Sequence, residues 1–209
     1  MQLDESRIQE IVEKVLNRLG PDVPGAKAAA PGPKPAPAPV QATARMGSGR
    51  YGVFPDVASA TAAAMDAFHQ LQELPLAVRA RMIEAIREVT RRNAKDLSVR
   101  TVEETEMGRV EDKIAKNLLV ANFTPGIEAL QPVTWTGDHG LTLMERAPYG
   151  IIGSITPTTN ATETIVCNAI GMIAGGNVVV FNTHPRAKKI SNHLIGMLNQ
   201  AMMAAGGPE

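Results

Sequence analysis

Ile151-Ile152-Gly153-Ser154-Ile155, the loop Thr156-Pro157-Thr158-Thr159-Asn160-Ala161-Thr162, an apolar run to residue 174 stopped by Gly175-Gly176, and then Val178-Val179-Val180-Phe181 decide the fold. The first segment reads as a buried strand, and the last, which lacks apolar–polar alternation, as a strand covered on both faces. The segment 163–174 between them is long enough for a helix, and a glycine pair is a helix stop. A further helix is predicted over 186–205, with Ile190, Leu194, Met197, Leu198 and Met202 on its buried side. The order β-α-β-α gives a parallel sheet with right-handed crossovers, so the fold class is α/β. Loops that follow the strands of such a sheet lie at its carboxyl edge, where open α/β folds bind ligands. Here these are Thr156 to Thr162 and Asn182-Thr183-His184-Pro185. Neither glycine-rich phosphate-binding fingerprint follows the first strand.

Outward towards the N-terminus the pattern turns helical. Asp56 caps a predicted helix running to about Leu74, with Ala60, Ala64, Phe68 and Leu71 inward. Pro75 suits the first turn of the next helix, whose buried stripe is Leu76, Val78, Met82, Ile86 and Val89. Arg79, Arg81, Arg87, Arg91 and Arg92 are placed on its outside. Glu84 and Glu88 sit among them at helical spacing, so this face reads as salt-bridged and solvated rather than as a nucleic-acid surface. Asn93 to about Glu106 reads as another short helix, and 112–130 as a fourth, bent at Pro125-Gly126. Val133-Thr134-Trp135-Thr136 and Leu141-Thr142-Leu143-Met144 flank Gly137-Asp138-His139-Gly140, two β-prone runs around a four-residue turn, hence a hairpin. His139 at its tip reads as a turn residue.

The N-terminal tip is a separate small module. Leu3, Ile8, Ile11, Val12, Val15, Leu16 and Leu19 mark one face of a helix, which Asp4 can cap and Gly20-Pro21 stops. A helix this short is marginal alone in water, so its apolar face requires a partner. Residues 21–50 hold 7 Pro, 8 Ala and 4 Gly, too many to form a core, and read as an extended linker. A linker this long favours a docking peptide for another protein over a helix folded back on its own domain. The division is therefore 1–20 docking helix, 21–50 linker, 51–130 helical, 131–149 hairpin and 150–209 β-α-β-α.

Composition narrows the function. Lys+Arg 21 balance Asp+Glu 21, which argues against a general nucleic-acid binder and a polybasic membrane patch. No apolar run reaches the roughly 18 residues that span a membrane, and the charged N-terminus is no secretory signal, so a cytoplasmic protein is expected. One Cys rules out an internal disulfide framework and a multi-Cys metal site, and no metal is expected. That Cys167 lies between Ile165, Val166, Ala169 and Ile170 and reads as a buried core thiol rather than a nucleophile. Asn160 has two readings: a helix cap, favoured by spacing alone, or an amide donor to a developing oxyanion, whose loss typically costs about 3 kcal/mol of transition-state stabilisation. His184 reads as a loop cap.

Glu145-Arg146-Ala147-Pro148-Tyr149-Gly150-Ile151-Ile152-Gly153, Thr156-Pro157-Thr158-Thr159-Asn160 and Gly175-Gly176-Asn177-Val178-Val179-Val180-Phe181 together resemble the aldehyde dehydrogenase superfamily, over about residues 50–209. The loop Asn182-Thr183-His184-Pro185 resembles the coenzyme-A-acylating branch, especially the ethanolamine- and propanediol-utilisation enzymes of bacterial microcompartments. Common aldehyde dehydrogenases carry there a Lys and a Glu that hold the adenosine ribose; here stand Asn182 and Pro185. The tip and linker also resemble that branch's encapsulation peptide. The resemblance implies a fold, an incomplete Rossmann-type sheet with helices and an oligomerisation arm before it. It also implies a reaction, in which aldehyde, coenzyme A and NAD give acyl-coenzyme A and NADH inside a microcompartment. Asn160 would steady the oxyanion. Thr156, Pro157 and Thr158 would line the nicotinamide side, and Asn182, His184 and Pro185 would meet the adenosine end of NAD or coenzyme A. Leu3, Ile8, Ile11, Val12, Val15 and Leu19 would dock on a shell protein. A homo-oligomer is implied for the whole enzyme.

The family's nucleophilic Cys lies beyond the second Rossmann helix, and Cys167 does not match it. The expectation is therefore that these 209 residues are the N-terminal part of such an enzyme and inactive alone. A non-acylating or semialdehyde dehydrogenase of the same superfamily, and a non-enzymatic shell-docking fragment, are the alternative readings.

Overall fold

The computed structural model describes residues 50–208. The docking helix within 1–20, and the linker up to residue 49, lie outside the described residues. A turn of 3-10 helix at Arg50–Gly52 leads into α1 (Val57–Glu73), α2 (Leu76–Thr105) and α3 (Val110–Phe123). The strands β1 (Val133–Gly137) and β2 (Gly140–Met144) follow, and then β3 (Ile151–Ile155), α4 (Ala161–Ala174), β4 (Val178–Asn182) and α5 (Lys188–Ala204). No helix among the described residues is long and apolar enough to cross a membrane.

Local chemistry fixes most boundaries. The Asp56 carboxylate accepts from Ser59 N at 2.8 Å and so starts α1. Leu74, before Pro75, leaves the helix in an extended conformation. The second and third predicted helices are instead one, α2, of 30 residues. Asn93, the expected first residue of the separate helix, bonds its own helix: Nδ2 donates to the Val89 carbonyl at 2.8 Å. Thr90, Ser98, Thr101 and Thr105 do likewise, each hydroxyl donating four residues back, so these polar groups are satisfied inside a packed helix. The next helix, expected over 112–130, ends at Phe123. Pro125 drives Thr124 out of the helical region (φ −62°, ψ 123°), and only a short 3-10 turn, Ile127–Ala129, follows.

β1 and β2 pair antiparallel with Gly137 opposite Gly140, so the turn has two residues, Asp138 and His139, not four. Every residue of this hairpin is exposed. β3 and β4 pair in parallel, with Ile151 opposite Val178 and Ile155 opposite Asn182, as the β-α-β reading requires. Cover is less than expected. Val178 to Phe181 are half-buried, and Ile155 is 83 % exposed.

The core centres on α2, which packs against α3, α4 and α5, while α1 lies on β3 and β4. Leu71, Ile86, Leu97, Ile165, Ile170 and Leu194 are its largest fully buried apolar side chains. Each buries enough surface to contribute roughly 1.5–3 kcal/mol. Asn177 binds the sheet to α4: Oδ1 accepts from Tyr149 N (2.6 Å) and Gly150 N (3.1 Å), and Nδ2 donates to the Met172 carbonyl (3.2 Å).

Arg91 and Arg92 pair with Glu84 and Glu88 as the spacing requires. Arg79 and Arg87 do not decorate the outside. Arg79 Nη1 reaches the Ala174 carbonyl at the end of α4, and Arg87 Nη2 reaches the Thr124 carbonyl past the end of α3. Cations at helix C-termini meet the negative end of the macrodipole. Burial lowers the Arg79 guanidinium pKa from its ordinary value.

Candidate active site

The two loops at the carboxyl edge of β3 and β4 are stitched together. Thr156 N, just past β3, donates to the Asn182 carbonyl at 3.1 Å, at the end of β4. Thr156 is 2 % exposed. Its Oγ1 and that of Thr158 are buried and have no hydrogen-bond partner among the described residues. Such groups are costly unless a partner arrives. Pro157 between them is exposed.

Asn160 occupies the N-cap position of α4, and its backbone carbonyl accepts from Thr164 N at 3.0 Å. Its side chain does not cap the helix. Oδ1 instead accepts from Lys116 Nζ at 3.2 Å. The reading favoured by spacing therefore holds for the position and fails for the side chain.

Sequence reasoning missed what lies beneath this loop. Lys113 and Glu163 are 2 % and 4 % exposed, and Lys113 Nζ sits 3.3 Å from Glu163 Oε1. The same ammonium donates to the Thr159 carbonyl, one residue before Asn160. Thr162 Oγ1 donates to Glu163 Oε2 at 3.2 Å. A signal did exist: Glu163 is the only acid in residues 147–208, inside an apolar helix, and a buried acid demands a partner. What no pattern supplied was the partner, 50 residues earlier.

In the second loop His184 Nδ1 accepts from Arg186 N at 3.2 Å, so a neutral ring carries its proton on Nε2. The loop-cap reading of His184 is correct. Pro185 opens a short 3-10 turn, and Asn182 is exposed. The N-terminus of α5 is already filled: Glu104 accepts from Lys189 N (2.8 Å) and Ile190 N (2.6 Å).

Cys167 corrects the expectation of a buried thiol, because it is exposed. Ile165, Val166, Ala169 and Ile170 turn into the core while Cys167 turns out. Thr156, Pro157, Thr158 and Asn160 thus share one edge with Asn182, His184 and Pro185. Leu3, Ile8, Ile11, Val12, Val15 and Leu19 lie outside the described residues.

A parallel β-α-β unit with two polar loops at its carboxyl edge places the chain among the open α/β proteins. The chain belongs to the aldehyde dehydrogenase family, whose model matches residues 36–208. It is 52 % identical over 158 residues to acetaldehyde dehydrogenase (acetylating) EutE of Escherichia coli, covering 76 % of this chain and 33 % of that one. It is also similar to the solved propionaldehyde dehydrogenase from the Clostridium phytofermentans fucose utilisation bacterial microcompartment (50 % identity, TM-score 0.73, 75 % of this chain and 36 % of that one). A third likeness is to the Rhodopseudomonas palustris propionaldehyde dehydrogenase with bound propionyl-CoA (48 % identity, TM-score 0.74, 76 % and 36 %). The chain spans about a third of the length of these relatives.

Proposed function

We propose that the chain is the N-terminal part of an acylating aldehyde dehydrogenase that converts a short aldehyde, coenzyme A and NAD to acyl-coenzyme A and NADH. The observation that carries this reading is Asn160. Its amide oxygen is engaged by Lys116, and its amide nitrogen is left without an acceptor among the described residues, at the edge of the sheet where ligands bind.

In this reading a thiolate adds to the aldehyde carbon and the carbonyl electron pair moves onto oxygen. Asn160 Nδ2 donates to that oxyanion, a contact that strengthens as charge develops. NAD, when bound, would supply the hydride acceptor that the passage from tetrahedral adduct to thioester requires. The thiolate of coenzyme A then displaces the enzyme thiol and carries off the acyl group.

The residues present fit the dinucleotide. The orphaned hydroxyls of Thr156 and Thr158 suit the carboxamide of a nicotinamide, and Pro157 gives an apolar surface beside them. Asn182, His184 and Pro185 suit the adenosine end of NAD or coenzyme A, with the Nε2–H of His184 as donor. Cys167 does not supply the thiolate. It lies seven residues beyond Asn160, about 10 Å along the helix axis, so an aldehyde oxygen on Nδ2 cannot place its carbon on that sulfur. The thiolate belongs to the two thirds of the relatives' length that this chain does not span.

Residues 3–19 serve as a docking peptide for a microcompartment shell protein, and the hairpin as an arm between copies. Two apolar faces support the second role, with Val133, Trp135 and Met144 on one and Leu141 and Leu143 on the other, all exposed. A lone two-stranded ribbon is marginal in water.

The deciding assay uses the full-length protein. NADH formation should require coenzyme A and yield acyl-coenzyme A. Equal rates without coenzyme A, with free acid as product, would establish the non-acylating alternative instead. A reporter fused to residues 1–20 should co-purify with shells, and one that stays in the soluble fraction removes the docking role.

A further inference from the structure

We propose that Lys116 is a positioning residue for the reaction, holding the Asn160 amide in the one orientation that presents its N–H donors to the substrate oxygen. The inference rests on the reading of Asn160 as the oxyanion donor.

A side-chain amide has two nearly isosteric orientations that exchange oxygen and nitrogen, and the surrounding hydrogen bonds choose between them. Lys116 Nζ, 3.2 Å from Oδ1, is a pure donor with a positive charge. The flipped amide would set an NH2 group against an ammonium, donor against donor. Lys116 thus selects the orientation with Nδ2 turned away from it.

The same contact explains why Asn160 does not cap α4. An N-cap side chain offers its oxygen to the N–H groups of the first turn. Here that oxygen is held by Lys116 and no cap bond forms. The helix start is served instead by Glu163 in its first turn, whose charge suits the positive end of the macrodipole.

Lys113, three residues earlier on the same face of α3, grips the other side of the loop through the Thr159 carbonyl. Two lysines on one helix therefore fix the backbone before Asn160 and the amide of Asn160 itself. Of the two, Lys113 is buried and Lys116 exposed, so Lys116 can be replaced without unfolding the protein.

The test is a double-mutant cycle in the full-length enzyme, following coenzyme-A-dependent NADH formation. Asn160→Ala should lower kcat by about 10²-fold to 10³-fold. Lys116→Met should lower kcat by about tenfold through misorientation, while the aldehyde KM stays within about twofold. Lys116→Arg, which keeps a cationic donor, should recover most of that loss. In the Asn160→Ala background Lys116→Met should have almost no further effect.

Wild-type kcat in Lys116→Met overturns the inference. So does an equal loss in both backgrounds, which would mean that Lys116 acts on the charge directly or on the fold. An unimpaired Asn160→Ala variant overturns the reading of Asn160 itself, and this inference with it. Impaired Asn160→Ala beside an unimpaired Lys116→Met overturns the lysine's role alone.

Discussion

Lys113 Nζ lies 3.3 Å from Glu163 Oε1, with 3 % and 5 % of the two side chains exposed, and this ion pair fastens α3 to the first turn of α4. Removing one partner of such a pair leaves a buried charge uncompensated, at a cost of about 3–5 kcal/mol. Lys113→Met should lower stability by that amount in urea unfolding, enough to unfold a marginal domain. Lys113→Met combined with Glu163→Met should recover most of the loss, because a buried apolar pair of similar size is often no worse than a buried ion pair. A single variant as stable as wild type would mean that the Lys113–Glu163 contact does not fasten α3 to α4.

Asn177 is the second buried polar junction. Asn177→Ala strips the side-chain acceptor from Tyr149 N and Gly150 N, while the Met172 carbonyl loses one donor and keeps the Asn177 backbone N–H. An orphaned buried group costs about 1–3 kcal/mol, so a loss of about 2–3 kcal/mol is expected in equilibrium unfolding. Asn177→Asp keeps the acceptor for the two N–H groups and should lose less. Equal losses would show that the Met172 contact, not the strand contact, carries the effect.

A pH dependence follows from Asp56. Hydrogen bonds from the Ser59 backbone and side chain hold its carboxyl below the ordinary carboxylate value. A depressed folded pKa adds stability above the unfolded value, and this is lost as pH falls through the folded value. Asp56→Asn keeps a cap that does not titrate. The melting-temperature advantage of wild type over Asp56→Asn should therefore shrink as pH drops below about 4. An advantage unchanged down to about pH 2 would contradict the assignment.

The sequence made β3, α4, β4 and α5 legible because each boundary is a local event: short strand-forming runs, a glycine pair, a proline closing the second loop. The edge loops were legible for the same reason. The neighbours of Cys167 along the chain do not report its burial. Adjacent residues do not share a helix face, and the pair on either side of Cys167 turns inward while it turns out. Asn93 broke a predicted helix because its bond to the Val89 carbonyl is not a sequence signal. Pro125 ends the helix where a bend is expected, since the residue before a proline leaves the helix more readily than it bends it. Lys113, Lys116 and Glu104 could not be found at all. Their partners lie 44 to 86 residues away, and only the fold brings a surface-looking charge to a buried carbonyl or a helix end.

Glu104 therefore offers the sharpest test of how α2 supports the site. Its carboxylate accepts from Lys189 N and Ile190 N, where α5 begins, three residues past the His184-Pro185 turn. It acts as a cap supplied by a distant helix, with a charge suited to the positive end of the macrodipole. Glu104→Ala should cost about 1–2 kcal/mol in unfolding, and Glu104→Gln, which keeps an acceptor but not the charge, less. If the loop at His184 meets the adenosine end of NAD or coenzyme A, loosening the start of α5 should act on binding more than on chemistry. In the full-length enzyme Glu104→Ala should then raise KM for one of these two while kcat changes by less than about twofold. A fall in kcat with both KM values unchanged would place the effect of α5 on the reacting centre and remove Asn182, His184 and Pro185 from the binding surface.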